Sequence, residues 1–312
     1  MPVLRYDNDT DVVFTDVDYT YNIMERDVQI LSSRYPFLET NVIGQSVLGK
    51  NIYAIRLGRG PNEVFYNGAH HALEWITASL LMKFVENFSK AYSEGSNIRG
   101  YNIASIWERS SIYIVPMVNP DGVDLVLLGL QPDNPFYRDL LAWNNTGLPF
   151  SKVWQANIRG VDLNRNYPAS WESAKAQEPS LGILGPGPTR FGGHSPLSEP
   201  ETIAITNFTR QHNFKLVIAY HAQGREIYWQ YLDLAPPQAL QIANTFARVT
   251  GYTVSETPPE AAFSGYKDWF IQEYRRPGYT FEVGLGRNPL PVSQFDTIYE
   301  NNEEAMLLGA LI

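Results

Sequence analysis

The sequence predicts an α/β domain, a β-sheet with helices on both faces. Short β-rich runs alternate with longer helical stretches along the chain, the pattern that such a layered sheet leaves. The 312 residues, 44% of them hydrophobic and without a low-complexity run, suffice for one large core. Residues 16–312 are therefore read as a single domain, and residues 1–15, which open on a polar stretch, as a loosely held lead-in.

The elements follow in order. Asn51–Leu57 and Glu63–Asn67 are rich in β-branched, aromatic and aliphatic residues and read as strands. Leu73–Tyr92 reads as a helix, because Leu73, Ile76, Leu80, Phe84 and Phe88 recur at three- and four-residue spacing. Ser111–Val118 is a third strand. Between about Asn119 and Pro196 the periodicity fades into Asn, Pro, Gly and aromatic residues, which predicts long surface loops of the kind on which sites are built. A helix Glu199–Gln211, capped by Ser198, leads to the strand Lys215–Tyr220. Helix Pro237–Thr250, strand Tyr252–Ser255, helix Tyr266–Tyr274, strand Tyr279–Val283 and helix Thr297–Leu311 complete the chain, and no internal repeat is present.

Charge and composition exclude several classes of function. The formal charge of -9 and the absence of a Lys/Arg cluster argue against a nucleic-acid partner. With no cysteine, disulfides, thiolate ligands and a cysteine nucleophile drop out, so a metal must be held by His, Asp or Glu. No apolar run approaches the ~20 residues of a membrane-spanning helix, and MPVLRYDNDTDVV lacks the pattern of a signal peptide. Oligomeric state leaves no mark in the sequence.

Four residues carry the chemistry. His71 and Glu74 in HHALEWIT, with His221 in IAYHAQG, supply two imidazoles and a carboxylate, a set that holds one zinc ion and leaves a position for water. Glu282 in GYTFEVG supplies a second carboxylate to take that water's proton. Each has a plainer reading. An HxxE pair is also a capping Glu beside a surface His; a His after a strand is often hydrogen-bonded in the core; Glu282 is explained equally by a buried pair with Arg275 or Arg276. His70 is read as structural. In RGVDLNRNYPASW, Arg165 has a donor fork suited to a carboxylate, Asn164 donates beside it, and Asp162 accepts from the outer nitrogen of a metal-bound His. The alternative is a turn bound by its own Asp and Asn side chains.

Taken in order, HHALEWIT, NPDG (Asn119 to Gly122), GVDLNRNY, YHAQG, GYKDWF and GYTFEVG resemble the zinc carboxypeptidase family from about Val42 to the C-terminus. SEPET, GYKDWFIQ and NPLPVSQFDTIYE resemble most its bacterial branch of γ-D-glutamyl-diaminopimelate endopeptidases. The resemblance implies an α/β/α sandwich around a twisted mixed β-sheet. It implies one Zn2+ held by His71, Glu74 and His221, Glu282 as general base, Asn164 and Arg165 on the substrate carboxylate, and Asp162 orienting a zinc-bound His. The implied partner is a peptide or a peptidoglycan stem peptide, which favours an extracellular or wall-associated place of action over the cytoplasm.

The chain departs from the family at several points. Leu73 stands where members commonly carry Arg inside HxxE, and Gln155 stands seven residues before Asp162, where they carry the Arg that polarises the scissile carbonyl. Arg159 is the candidate replacement. PPEAAFSG lacks the mobile Tyr of digestive relatives, and Lys267, at the family's side-chain pocket, is expected to favour an acidic group. The expected function is a zinc metallopeptidase cutting γ-D-glutamyl-diaminopimelate bonds. The rivals are a general carboxypeptidase with acidic preference and a non-catalytic peptide-binding module.

Overall fold

A computed structural model describes residues 10–259 and 261–312. Ten strands run in chain order: β1 Glu39–Gln45, β2 Asn51–Leu57, β3 Asn62–Gly68, β4 Asn97–Ile98, β5 Tyr101–Asn102, β6 Ser110–Val115, β7 Leu216–Ala222, β8 Glu226–Tyr228, β9 Thr253–Ser255 and β10 Gly278–Val283. Eight of them form one mixed sheet in the order β1-β2-β6-β3-β7-β10-β8-β9, while β4 and β5 make a small hairpin apart. The central strands β6, β3, β7 and β10 are parallel, so their carboxyl ends open on one edge of the sheet, where ligand sites of such sheets are built.

Side chains alternate across each strand, and here that parity sorts them into two cores. Leu216, Ile218 and Tyr220 of β7, with Tyr279, Phe281 and Val283 of β10, join the helices Ile76–Glu94, Ala239–Thr250 and Phe295–Gly309 on one face. Val217 and Ala219 of β7, with Phe65 of β3, pack against the helices Pro200–Arg210 and Tyr266–Tyr274 on the other. His221 and Glu282 are register partners, and by the same alternation both belong to the second face.

The long helix starts at Ile76, after a 3-10 turn Ala72–Glu74, and ends on Gly95 in the left-handed conformation (φ 67°) that closes helices well with glycine. The stretch expected to be loops holds four α-helices, the short Tyr137–Trp143, Phe150–Val153 and Trp171–Gln177 and, ahead of them, Pro120–Leu128. Its signal lies in the start rather than the period: Asn119 caps it by accepting from the Gly122 N–H, and Pro120 fills the first turn, where no N–H is needed. Ser198 is not the cap of the helix Pro200–Arg210. Glu199 holds that position, and the Ser198 hydroxyl donates to the Glu199 carboxylate at 2.9 Å.

Met1 to Asp9 of the expected lead-in lie outside the described residues. Val12 and Val13 are not loosely held: both are buried in the core, and their N–H groups donate to the Glu86 carboxylate. No helix among the described residues is long and apolar enough to cross a membrane.

Candidate active site

At the end of β3 the chain turns through Ala69 (φ 51°) and places His71 at the start of the 3-10 turn. Residues three apart eclipse one another in that conformation, which stacks His71 over Glu74. Asn119 fixes the turn from below. Its amide donates to the carbonyls of His70 (3.1 Å) and Ala156 (3.0 Å), and the Ala72 N–H donates to the Gln155 carbonyl. The NPDG segment thus locks the histidine turn to the segment that follows Trp154.

From the adjacent strand, His221 completes the cluster. His71 Nδ1 lies 2.9 Å from Glu74 Oε1, His221 Nδ1 lies 2.9 Å from Glu74 Oε2, and the two ring nitrogens are 3.3 Å apart. One donor atom from each of the three residues falls within 4.8 Å of the others. Asn288, in the segment after β10, donates to Glu74 Oε1 at 3.3 Å and to the Ala222 carbonyl at 2.6 Å, holding the carboxylate toward the rings.

The set fits a divalent zinc, for which two imidazole nitrogens and one carboxylate are an ordinary protein complement. Glu74 and Asp162 are both buried carboxylates on either side of His71, and such a pair requires positive charge between them. Burial works against the charge on Glu74, yet His71 and His221 hold its carboxyl well below the usual range. Burial likewise disfavours an imidazolium at His71, and Glu74 and Asp162 together overcome it and raise its pKa. Asp162 Oδ1 meets His71 Nε2 at 3.1 Å, while its Oδ2 accepts the Arg190 N–H at 3.0 Å. That arrangement leaves His71 Nδ1 on the metal side. His70, by contrast, is fully buried against the Tyr167 hydroxyl at 2.8 Å, and burial lowers its pKa, so it stays a neutral core residue.

Glu282 stands beside His221 in register. Burial, then the charges of Glu74 and Glu226, push its carboxyl well above the usual range, with His71 acting the other way. A carboxyl raised in this way binds a proton more readily than an ordinary one, which suits a group that is to accept and return one. Neither arginine considered as its partner pairs with it, and Arg276 donates instead to the Phe214 carbonyl at 2.7 Å. Asn164 and Arg165 sit in a second 3-10 turn, Leu163–Arg165, capped by Asp162, whose Oδ1 accepts the Asn164 N–H at 3.1 Å. Asp162 thereby couples the metal side of the cluster to the turn that carries Asn164 and Arg165.

The profile of the zinc carboxypeptidase family matches residues 24–305. The chain belongs to the zinc carboxypeptidase family. It is 42% identical over 292 residues to γ-D-glutamyl-L-diamino acid endopeptidase 1 of Lysinibacillus sphaericus, covering 94% of this chain and 72% of that protein. It is 36% identical to the Bacillus subtilis protein YqgT, covering 94% and 77%. Carboxypeptidase A from Helicoverpa armigera shares the fold, with a TM-score of 0.70 at 20% identity over 97% of this chain and 76% of that one. The α/β/α expectation holds, with eight strands in the main sheet.

Within this zinc carboxypeptidase, two expected substrate residues are placed elsewhere. Arg159 turns to Glu199, 3.7 Å away. Lys267 is 3% exposed, donates to the Gln230 carbonyl (2.7 Å) and the Thr257 hydroxyl (3.3 Å), and pairs with Asp268 at 2.6 Å. Its charge is neutralised inside the protein instead of awaiting an acidic substrate group. Gln155 does reach the site's surroundings: it lines the cavity beside Leu73, with its Oε1 accepting from Thr189 at 2.7 Å. Asn288 opens NPLPVSQFDTIYE, but its contact with Glu74 was not expected from that stretch.

Proposed function

We propose that the chain hydrolyses the amide bond between a γ-D-glutamyl residue and diaminopimelate in bacterial cell-wall peptides, with residues 16–312 acting as one catalytic domain. The observation that carries the hydrolytic part is the convergence of His71, Glu74 and His221 beside Glu282 at the carboxyl edge of the parallel strands. The substrate class is supported by the 42% identity to the Lysinibacillus sphaericus γ-D-glutamyl-L-diamino acid endopeptidase. That substrate implies work at the wall, outside the cytoplasm.

Zinc held by His71, Glu74 and His221 supplies Lewis acidity to the site. Glu282 takes the proton of the attacking water and delivers it to the leaving nitrogen. Asn164 and Arg165 grip a carboxylate on the leaving side, which turns a loose encounter into an oriented one. Asp162 holds the His71 ring in place throughout.

Digestion of a purified wall tetrapeptide beside an ordinary peptide with a free C-terminus tests the reading. Cleavage of the γ-D-glutamyl-diaminopimelate bond at the higher kcat/KM is expected. Faster release of C-terminal amino acids from the ordinary peptide would replace it with a general carboxypeptidase, and binding of both without turnover would leave a peptide-binding module.

A further inference from the structure

A cavity of about 630 Å³ opens beside the metal ligands, and its walls include Leu73, Lys152, Gln155, Arg287 and Asn288. Leu73 precedes the ligand Glu74, and Asn288 donates to it, so the cavity adjoins the ligand cluster, although His71, Glu74, His221 and Glu282 are not among its walls. Asn164, Arg165 and Lys267 are not among its walls. With the leaving-side carboxylate held at Asn164 and Arg165, this cavity is where the acyl side of the substrate lies.

Its charge is one-sided. Among the described residues, Lys152 and Arg287 are its only charged walls, in a chain of net charge -9, and both are exposed. Neither side chain has an ion pair or hydrogen bond among the described residues, unlike those of Arg159 and Lys267, which are engaged within the protein. Two uncompensated cations facing one space favour an anion there. Leu73, 4% exposed, gives the wall next to Glu74 an apolar element among the polar Gln155 and Asn288.

We propose that Arg287, assisted by Lys152, binds the free α-carboxylate of a γ-linked glutamyl residue on the acyl side of the scissile bond. This rests on the γ-glutamyl reading above and names the group that makes such a substrate recognisable. In a γ-glutamyl unit, two methylenes follow the scissile carbonyl, and the carboxylate and the branch to the rest of the peptide come only after them. Leu73 offers the methylenes an apolar wall, and the guanidinium offers the carboxylate a planar fork. An α-linked residue branches at the first carbon, against Leu73, and carries no backbone carboxylate on this side.

The test compares L-Ala-γ-D-Glu-diaminopimelate with the same peptide carrying an α-carboxamide on the glutamyl residue, using the zinc-loaded parent, Arg287→Gln and Arg287→Lys. The parent is expected to favour the free carboxylate by about 10- to 100-fold in kcat/KM, the scale of a charged hydrogen-bonded contact. That ratio is expected to fall to near one in Arg287→Gln and to an intermediate value in Arg287→Lys. A parent that cleaves both peptides equally, or an Arg287→Gln protein that keeps the full ratio, overturns the assignment and leaves the γ-glutamyl reading standing. A parent that cleaves neither peptide but trims an ordinary C-terminus overturns both.

Discussion

His71 and Asp162 face each other through a ring nitrogen and a carboxylate oxygen 3.1 Å apart, on the side of the imidazole away from Glu74. The same carboxylate caps the turn carrying Asn164 and Arg165. Replacing Asp162 by Asn removes the negative charge behind His71 while keeping the shape. Zinc affinity is expected to fall by about 10- to 100-fold, measured by competition with a chelator. The zinc-dependent rise in Tm should shrink in step, since a ligand that binds only the folded state stabilises it according to its affinity.

Glu282 is assigned the proton transfers and not the metal. Glu282→Gln is expected to lower kcat by about 10²- to 10⁴-fold, the usual span for general acid–base catalysis, while a chelator titration still reports zinc held by His71, Glu74 and His221. A Gln variant with parental turnover would remove Glu282 from the mechanism.

Part of this architecture was legible and part was not, for identifiable reasons. Strands β3, β7 and β10 are buried almost throughout, so their apolar runs announce them. Edge strand β1, ETNVIGQ, is largely exposed and carries no such pattern, and β8 has three residues. The ligands were legible because His71 and Glu74 form a local pair and His221 ends an apolar run, while Glu282 stands out as a carboxylate within another. The roles of Arg159 and Lys267 were not, because a cation's availability depends on whether a distant acid, carbonyl or hydroxyl claims it in the fold. Asn288 is set against Glu74 from 214 residues away, a contact that its place at the head of NPLPVSQFDTIYE does not reveal.

Away from the metal cluster, Glu201 gives a pH signature. Burial first, then the charges of Asp121 and Glu199, raise its pKa from 4.5 to about 8. The unfolded chain therefore ionises this group before the folded one does, and the folded state binds the extra proton between these values. Its stabilising contribution is complete below pH 4.5 and is lost as pH rises toward about 8. Glu201→Gln cannot ionise, so its Tm relative to the parent should climb steadily from pH 5 to pH 8. A flat difference across that range would show that Glu201 is ionised in the fold at every pH tested.

Lys267 separates the sequence expectation from the structural placement. If its ammonium read acidic substrate groups, Lys267→Met would collapse the preference for an acidic leaving residue at little cost to stability. The structure instead buries it against Asp268 at 2.6 Å, both side chains 4% exposed. Removing one partner of such a pair strands the other charge in the interior, which costs about 3–5 kcal/mol. Lys267→Met is therefore expected to lower the midpoint of urea unfolding by that equivalent, with the ratio of kcat/KM for acidic over neutral leaving residues changed by less than about twofold. The double variant Lys267→Met/Asp268→Asn, which leaves no buried charge, should recover much of the lost stability, since an isolated charge and not the lost contact carries most of the penalty. A Lys267→Met protein of parental stability that no longer distinguishes acidic from neutral residues would return Lys267 to the substrate pocket.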